Sequence, residues 1–257
     1  MNLELAGRRA AVSGASRGIG RAIALQLATE NAAVVAIARD ATRLGELASL
    51  VPEGRGTITP HSCDLTNSSA IEALRPALAN VDILVLNSGG PPPGLVADVP
   101  DATWVQYFEA MFLSAVRLTR VALPGMRQRK FGRILAIVSS GVVQPIPNLG
   151  ISNAIRLALV GWAKTLAAEV AGDGVTVNCL APGRIATERV AELDRARAAR
   201  EGTDVESVER QSRATIPAGR YGDPAEFAAV ATFLAGTQSS YITGSVIRVD
   251  GGMIRSI

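Results

Sequence analysis

Lysine is nearly missing from this chain. Lys130 and Lys164 are the only two among 26 basic side chains, so arginine carries almost all of the positive charge. An arginine keeps its proton near neutral pH, which leaves few amines for proton-transfer chemistry. Histidine is scarcer still, with His61 alone, too few ligands for a zinc site. The two cysteines, Cys63 and Cys179, make no disulfide framework and stand far from metal-ligand spacing, which points to a reducing cytosol. His61 and Cys63 read as a strand-end pair without a metal. No apolar stretch reaches the ~18 residues of a membrane span, and the N-terminus carries no signal-peptide pattern. A soluble, cytoplasmic protein with no membrane partner is therefore expected. The net charge of +3 is spread over interspersed acids and bases, so no basic stripe offers itself to nucleic acid.

What is present begins with glycine. A short apolar strand (Ala10, Ala11, Val12) runs into the turn Ser13, Gly14, Ala15, Ser16, Arg17, Gly18, Ile19, Gly20, and a helix follows over Arg21 to Ala28. Glycines at 14, 18 and 20 allow a tight turn, close approach of a phosphate to main-chain N–H groups, and close packing of helix on sheet. The first N–H groups of a helix have no internal partners and carry positive potential, so a dinucleotide diphosphate is expected there. A second apolar strand, Ala32 to Ala38, completes the βαβ unit.

Alternation continues to the C-terminus. A helix is expected over Ala41 to Leu50, a strand over Gly56 to Cys63, and a helix opened by Thr66 to Ser69. Further strands are expected at Val81 to Leu86, Arg133 to Val138, Val175 to Leu180 and Ser245 to Val249. Long helical patterns occupy Ala102 to Met126 and Ile151 to Ala171, and a shorter one runs from Ala225 to Ala235. Fully apolar strands suit a parallel sheet covered on both faces. The expectation is α/β: one doubly wound parallel sheet, a single nucleotide-binding Rossmann domain over residues 1–257 with no linker or repeat. Pro91-Pro92-Pro93-Gly94 forms a stiff loop. Residues 188 to 213 are rich in Glu, Asp and Arg and, extended to about 215, read as a lid on one rim of the cleft or as a plain solvated helix.

Ligands of such sheets bind beyond the carboxyl ends of the strands. Those ends bring together the glycine loop, Arg39, Asp64, Asn87 to Gly90, Ser139 and Pro182-Gly183. At the end of the second strand a carboxylate would select NAD(H) by binding ribose hydroxyls; Ala38 and Arg39 stand there instead. Arg39 offers a fork to a 2′-phosphate and Arg17 a second positive group, so NADP(H) is favoured over NAD(H). Asp40, one residue on, is the competing carboxylate.

The ordered set Gly14-x-x-x-Gly18-x-Gly20, Asp64-Leu65, Asn87-Ser88-Gly89, Ser139, Pro182-Gly183 and Tyr241-Ile242-Thr243-Gly244 resembles the short-chain dehydrogenase/reductase family, in particular its 3-oxoacyl-acyl-carrier-protein reductase-like members. The resemblance covers nearly the whole chain. It implies an oxidoreductase that moves a hydride between a nicotinamide and a carbonyl or alcohol, on a small-molecule substrate that the sequence does not identify. It also implies that Asp64 and Leu65 border the adenine, that Asn87, Ser88 and Gly89 support the nucleotide, and that Pro182, Gly183, Ile185 and Thr187 line the nicotinamide. A homotetramer or homodimer built on the long helices and the last strand is implied as well.

The family's proton transfer uses a tyrosine whose phenol is acidified by a lysine four residues later, with a serine and an asparagine beside them. Here Ile151 and Ile155 take the tyrosine and lysine positions, and Met111 takes that of the asparagine. Ser139 alone remains as a catalytic candidate. Tyrosine occurs only at 107, 221 and 241, and the residues four before the lysines are Met126 and Val160, so no Tyr-x-x-x-Lys exists. Ser140, Asn148, Asn153, Arg156 and Arg184 are the other polar side chains near the crevice. Three activities stay open: an oxidoreductase with another proton source, a non-catalytic dinucleotide-binding sensor or partner subunit, and an isomerase or dehydratase using the same pocket.

Overall fold

A computed structural model describes residues 2–256. The strands are β1 (Arg9–Ser13), β2 (Ala33–Ala38), β3 (Thr57–Ser62), β4 (Ile83–Leu86), β5 (Gly132–Ile137), β6 (Val175–Pro182) and β7 (Val246–Val249). They form one seven-stranded sheet in the order β3-β2-β1-β4-β5-β6-β7, parallel throughout. The order reverses between β1 and β4, and that switch point opens a crevice at the carboxyl ends of both strands. The helices are α1 (Gly18–Thr29), α2 (Ala41–Ala48), α3 (Ser68–Ala73), α4 (Arg75–Leu78), α5 (Asp101–Phe108), α6 (Ser114–Gln128), α7 (Gly150–Val170), α8 (Glu188–Glu201), α9 (Val205–Ala214) and α10 (Pro224–Ala235).

Successive strand residues point to opposite faces, so each strand feeds two cores. Ala10, Val12, Ile83 and Val85 pack with Ile23 and Leu27 of α1 and Phe227 and Ala231 of α10. Ala11, Leu84 and Leu86 pack with Leu118 and Ala122 of α6 and Leu159 and Ala163 of α7. The doubly wound α/β expectation is met, with strand ends shifted by a residue or two.

Two differences bear on the crevice. The single helix expected over Ala102 to Met126 is α5 and α6 joined by a π-helical turn, Glu109–Leu113, centred on Met111. A π turn takes in one extra residue and re-aims the side chains it carries, and such turns are frequent at functional sites. The mixed-charge stretch expected to be one helix is α8 and α9, broken where Gly202 takes φ +64° and Asp204 caps the next helix. Among the described residues no helix is long and apolar enough to cross a membrane, and no three His, Cys, Asp or Glu side chains gather as a metal site.

Candidate active site

The glycine loop is shaped by contacts that only glycine permits. Gly14 and Gly18 have φ of +60° and +57°, the region where a Cβ is strained. A Cβ on Gly20 would stand 2.3 Å from the Gly14 carbonyl and 2.6 Å from Asn87 Nδ2, and a Cβ on Gly14 would stand 2.6 Å from the same amide. Asn87 Nδ2 donates to the Gly14 carbonyl at 3.1 Å, and the Asn87 N–H donates to Ser13 Oγ at 2.9 Å. The end of β4 thus fixes the turn after β1. The α1 N-terminus above it has no side-chain cap and no acid in its first turn, so its N–H groups and its dipole remain available to an anion.

At the end of β2, Arg39 and Asp40 are exposed and do different work. Asp40 caps α2, accepting from the Arg43 N–H at 3.0 Å, which ties the competing carboxylate down. Among the described residues Arg39 makes no ion pair. The Asp64 carboxyl accepts from the Thr66 N–H at 3.0 Å and from its hydroxyl at 2.9 Å; these bonds, with help from the field of Arg39, hold it below the usual carboxylate range. Leu65 packs against the α6/α7 core.

The opposite rim comes from the segment after β6. A Cβ on Gly183 would meet Asp250 Cα at 2.7 Å, so this turn passes close under the C-terminal loop. Ile185 is buried, and Thr187 caps α8 with its methyl 3.4 Å from the place a Cβ on Gly18 would occupy. Arg17, expected to help hold a 2′-phosphate, is paired across the gap with Glu188 at 3.2 Å and Glu192 at 2.9 Å, and Arg43 reaches Glu188 at 3.0 Å. These pairs are half exposed and open to salt screening. They bridge residues more than 140 apart, which sequence spacing does not reveal.

Arg184, one of the polar candidates, is likewise engaged. It pairs with Asp194, which is fully buried and accepts from the Tyr221 hydroxyl at 2.8 Å. Burial raises the Tyr221 phenol, and the Asp194 bond pushes the same way. The triad anchors α8 to the segment before α10. Asp194→Asn is expected to lower stability on the order of 2 kcal/mol by leaving buried groups poorly matched, read as a thermal midpoint lower by ~4–8 °C.

The candidate chemistry lies at the end of β5 and the start of α7. Ser139 Oγ accepts from the Gly141 N–H at 3.1 Å, capping the short turn Ser140–Val142; its own O–H remains available. Ser140 is buried. Asn153 is turned to the Ile146 peptide, donating to its carbonyl at 2.9 Å. The Asn148 carbonyl accepts from the Gly94 N–H at 2.8 Å, pinning the proline loop to the start of α7. Met111, Ile151 and Ile155 meet in one buried apolar cluster, with Trp104 and Tyr107 packed against it.

Arg156 is the feature that sequence reading undervalued. It is buried, donating to the Ile137 carbonyl at 2.6 Å and towards the Ser88 carbonyl at 3.4 Å. Burial, with Arg189 adding to it, pushes its pKa down to about 10, so the guanidinium stays charged at neutral pH. The signal was present in the spacing: Ser152, Ile155, Arg156, Leu159 and Ala163 form one core-facing stripe of α7, and a charge on such a stripe is uncommon.

Over residues 14–254 the chain matches the family described as enoyl-(acyl carrier protein) reductase. It is 37% identical over 260 residues to the 3-oxoacyl-(acyl-carrier-protein) reductase of Vibrio cholerae serotype O1, covering 98% of this chain and 99% of that one. The chain belongs to the short-chain dehydrogenase/reductase family. Among solved structures of the family, L-sorbose reductase from Gluconobacter frateurii, complexed with NADPH and L-sorbose, is 33% identical, covers 100% of both chains and superposes with a TM-score of 0.92. A 3-oxoacyl-(acyl-carrier-protein) reductase from Agrobacterium tumefaciens C58 with NADP bound is 31% identical over 96% of this chain and 94% of that one, TM-score 0.86. The short-chain dehydrogenase/reductase assignment makes the protein an oxidoreductase by family.

Proposed function

We propose that this family member is an NADP(H)-dependent oxidoreductase acting on a carbonyl or an alcohol, with Ser139 beside the reacting carbon and without the family's tyrosine and lysine. The observation that carries the cofactor half is at the end of β2: Arg39 is exposed and unpaired among the described residues, while Asp40 is spent on capping α2. A free guanidinium favours a 2′-phosphate, and the carboxylate that would disfavour it is engaged by the α2 N-terminus. The NADPH and NADP carried by the two solved relatives support the same choice.

The residues present fit the group. The main-chain N–H groups of Ser16, Arg17, Gly18, Ile19 and Gly20 would receive the diphosphate at the uncapped α1 N-terminus, with Gly14 giving the close approach. Asp64 and Leu65 would border the adenine, Asn87, Ser88 and Gly89 the ribose, and Pro182, Gly183, Ile185 and Thr187 the nicotinamide side. Bound NADP(H) supplies or accepts the hydride. Ser139 orients the substrate oxygen through its free O–H. The α8–α9 segment, about 188–215, serves as the lid. A cytoplasmic homotetramer or homodimer completes the proposal.

A second reading is a dinucleotide-binding sensor or partner subunit that turns nothing over. The cluster of Met111, Ile151 and Ile155 favours it, because hydrocarbon offers neither a proton nor a charge. A panel of ketones with NADPH, and of alcohols with NADP, separates the two. The oxidoreductase reading expects turnover that Ser139→Ala lowers about tenfold or more. Wild type and variant equally inert, with NADPH still bound, would move the function to the sensor.

A further inference from the structure

One carboxylate stands between two arginines that belong to different elements. Arg17, at the end of the glycine loop, donates to Glu188 Oε2 at 3.2 Å. Arg43, in the first turn of α2, donates to Glu188 Oε1 at 3.1 Å and to Oε2 at 3.0 Å. Both guanidiniums thus reach a single oxygen of the first residue of α8, and Glu192, one turn on, takes Arg17 at 2.9 Å as well. Thr187, just before them, has its methyl 3.4 Å from where a Cβ on Gly18 would stand, so the start of α8 lies beside the loop proposed for the diphosphate.

Two guanidiniums converging on one oxygen is also how arginines hold a phosphate. Bonds from Arg43 and then Arg17 keep the Glu188 carboxyl below the usual carboxylate range, so it is a full anion at neutral pH. Arg43 also comes within 3.5 Å of Asp40, at the end of β2 beside Arg39, where the 2′-phosphate is proposed. Glu188 and Glu192 are 52% and 37% exposed, and each exposed ion pair holds only weakly. A phosphate monoester carries nearly two charges and three acceptor oxygens against the single charge and two oxygens of a carboxylate. It can therefore take these arginines from Glu188.

We propose that Glu188, helped by Glu192, competes with the 2′-phosphate of the cofactor for Arg17 and Arg43, and that the phosphate, by winning, releases the first turn of α8. The inference rests on the NADP(H) reading of the crevice and adds the acidic residues that set how strongly the phosphate is favoured. NADH has no such group and leaves the ion pairs in place. The coupling is reciprocal: the factor by which the two glutamates weaken NADPH binding is the factor by which NADPH loosens the start of α8.

The test is calorimetric titration of NADPH and of NADH into wild type and into the double variant Glu188→Gln with Glu192→Gln. The double variant is expected to bind NADPH about three- to tenfold more tightly, with NADH little changed. Glu46→Gln removes a like charge from the exposed face of α2, outside this network, and should leave both affinities as they were. In an Arg17→Met background the same glutamate changes should gain less, because one of their partners is gone. Hydrogen exchange over α8 gives the reciprocal readout, faster in wild type with NADPH than with NADH. NADPH binding unchanged or weaker in the double variant, an equal gain for NADH, or α8 exchange no faster with NADPH would overturn the proposal. Wild type that does not tell NADPH from NADH would sink the cofactor reading itself, a failure seen before any glutamate is changed. A wild type that prefers NADPH, with a double variant that gains nothing, sinks the competition alone.

Discussion

Gly20→Ala is expected to remove saturable NADPH binding and to lower stability by about 2–3 kcal/mol. Its Cβ would stand 2.3 Å from the Gly14 carbonyl and 2.6 Å from Asn87 Nδ2, distances that no rotamer choice relieves because the first neighbour is backbone. The loop must move away from the end of β4, breaking the bond from Asn87 to Gly14 and turning aside the N–H groups proposed for the diphosphate. Fluorescence titration with NADPH and a thermal unfolding curve measure both effects. Gly45→Ala in α2 is the control: nothing lies within 4 Å of that Cβ, so helix propensity alone acts, and stability should rise slightly. Wild-type NADPH affinity in Gly20→Ala would show that the turn does not cradle the cofactor.

The second large effect is a gain. The double substitution Ile151→Tyr with Ile155→Lys is expected to raise ketone reduction by at least ~100-fold, the low end of what general acid–base catalysis contributes. The two positions lie one turn apart on α7 and both pack with Met111, so on the proposed register, with Ile151 and Ile155 in the tyrosine and lysine places, a phenol and an ammonium there would share one pocket. Burial of the new lysine will cost stability, so folding and NADPH affinity must be checked first. A folded, NADPH-binding double variant no faster than wild type would count against the proposed register of Ile151 and Ile155. Tyr107, packed against the same cluster, provides a further control through Tyr107→Phe.

Much of this was legible in the chain. The alternation of apolar strands with helices gave the parallel sheet, because burial on both faces leaves near-continuous runs such as Ile83–Leu86. The glycine spacing marked the turn between β1 and α1, and the structure adds what the spacing could not show, the contact of Asn87 from β4 with Gly14 and Gly20. Less legible was whatever depends on distant segments. The π turn at Glu109–Leu113 joins α5 to α6, and no local propensity encodes it. Arg17 read as a phosphate ligand from its place in the loop, and only the fold brings Glu188 and Glu192 to it. Arg156 read as one polar side chain among several, although its place on the stripe of Ile155 and Leu159 already required it to be buried. Arg189 lies 98 residues from the Pro91 carbonyl that it contacts, a pairing of α8 with the proline loop that sequence spacing does not reveal.

A crevice shaped for a phosphorylated dinucleotide and selected by Arg39 should tell NADPH from NADH. The most direct measurement is a parallel titration of NADPH and NADH against wild type and Arg39→Ala. Tighter NADPH than NADH binding is expected of wild type, and about a tenfold or greater loss of NADPH affinity in Arg39→Ala with NADH little changed. Equal affinity for the two cofactors in wild type, or an Arg39→Ala variant that still prefers NADPH to the same degree, would contradict it.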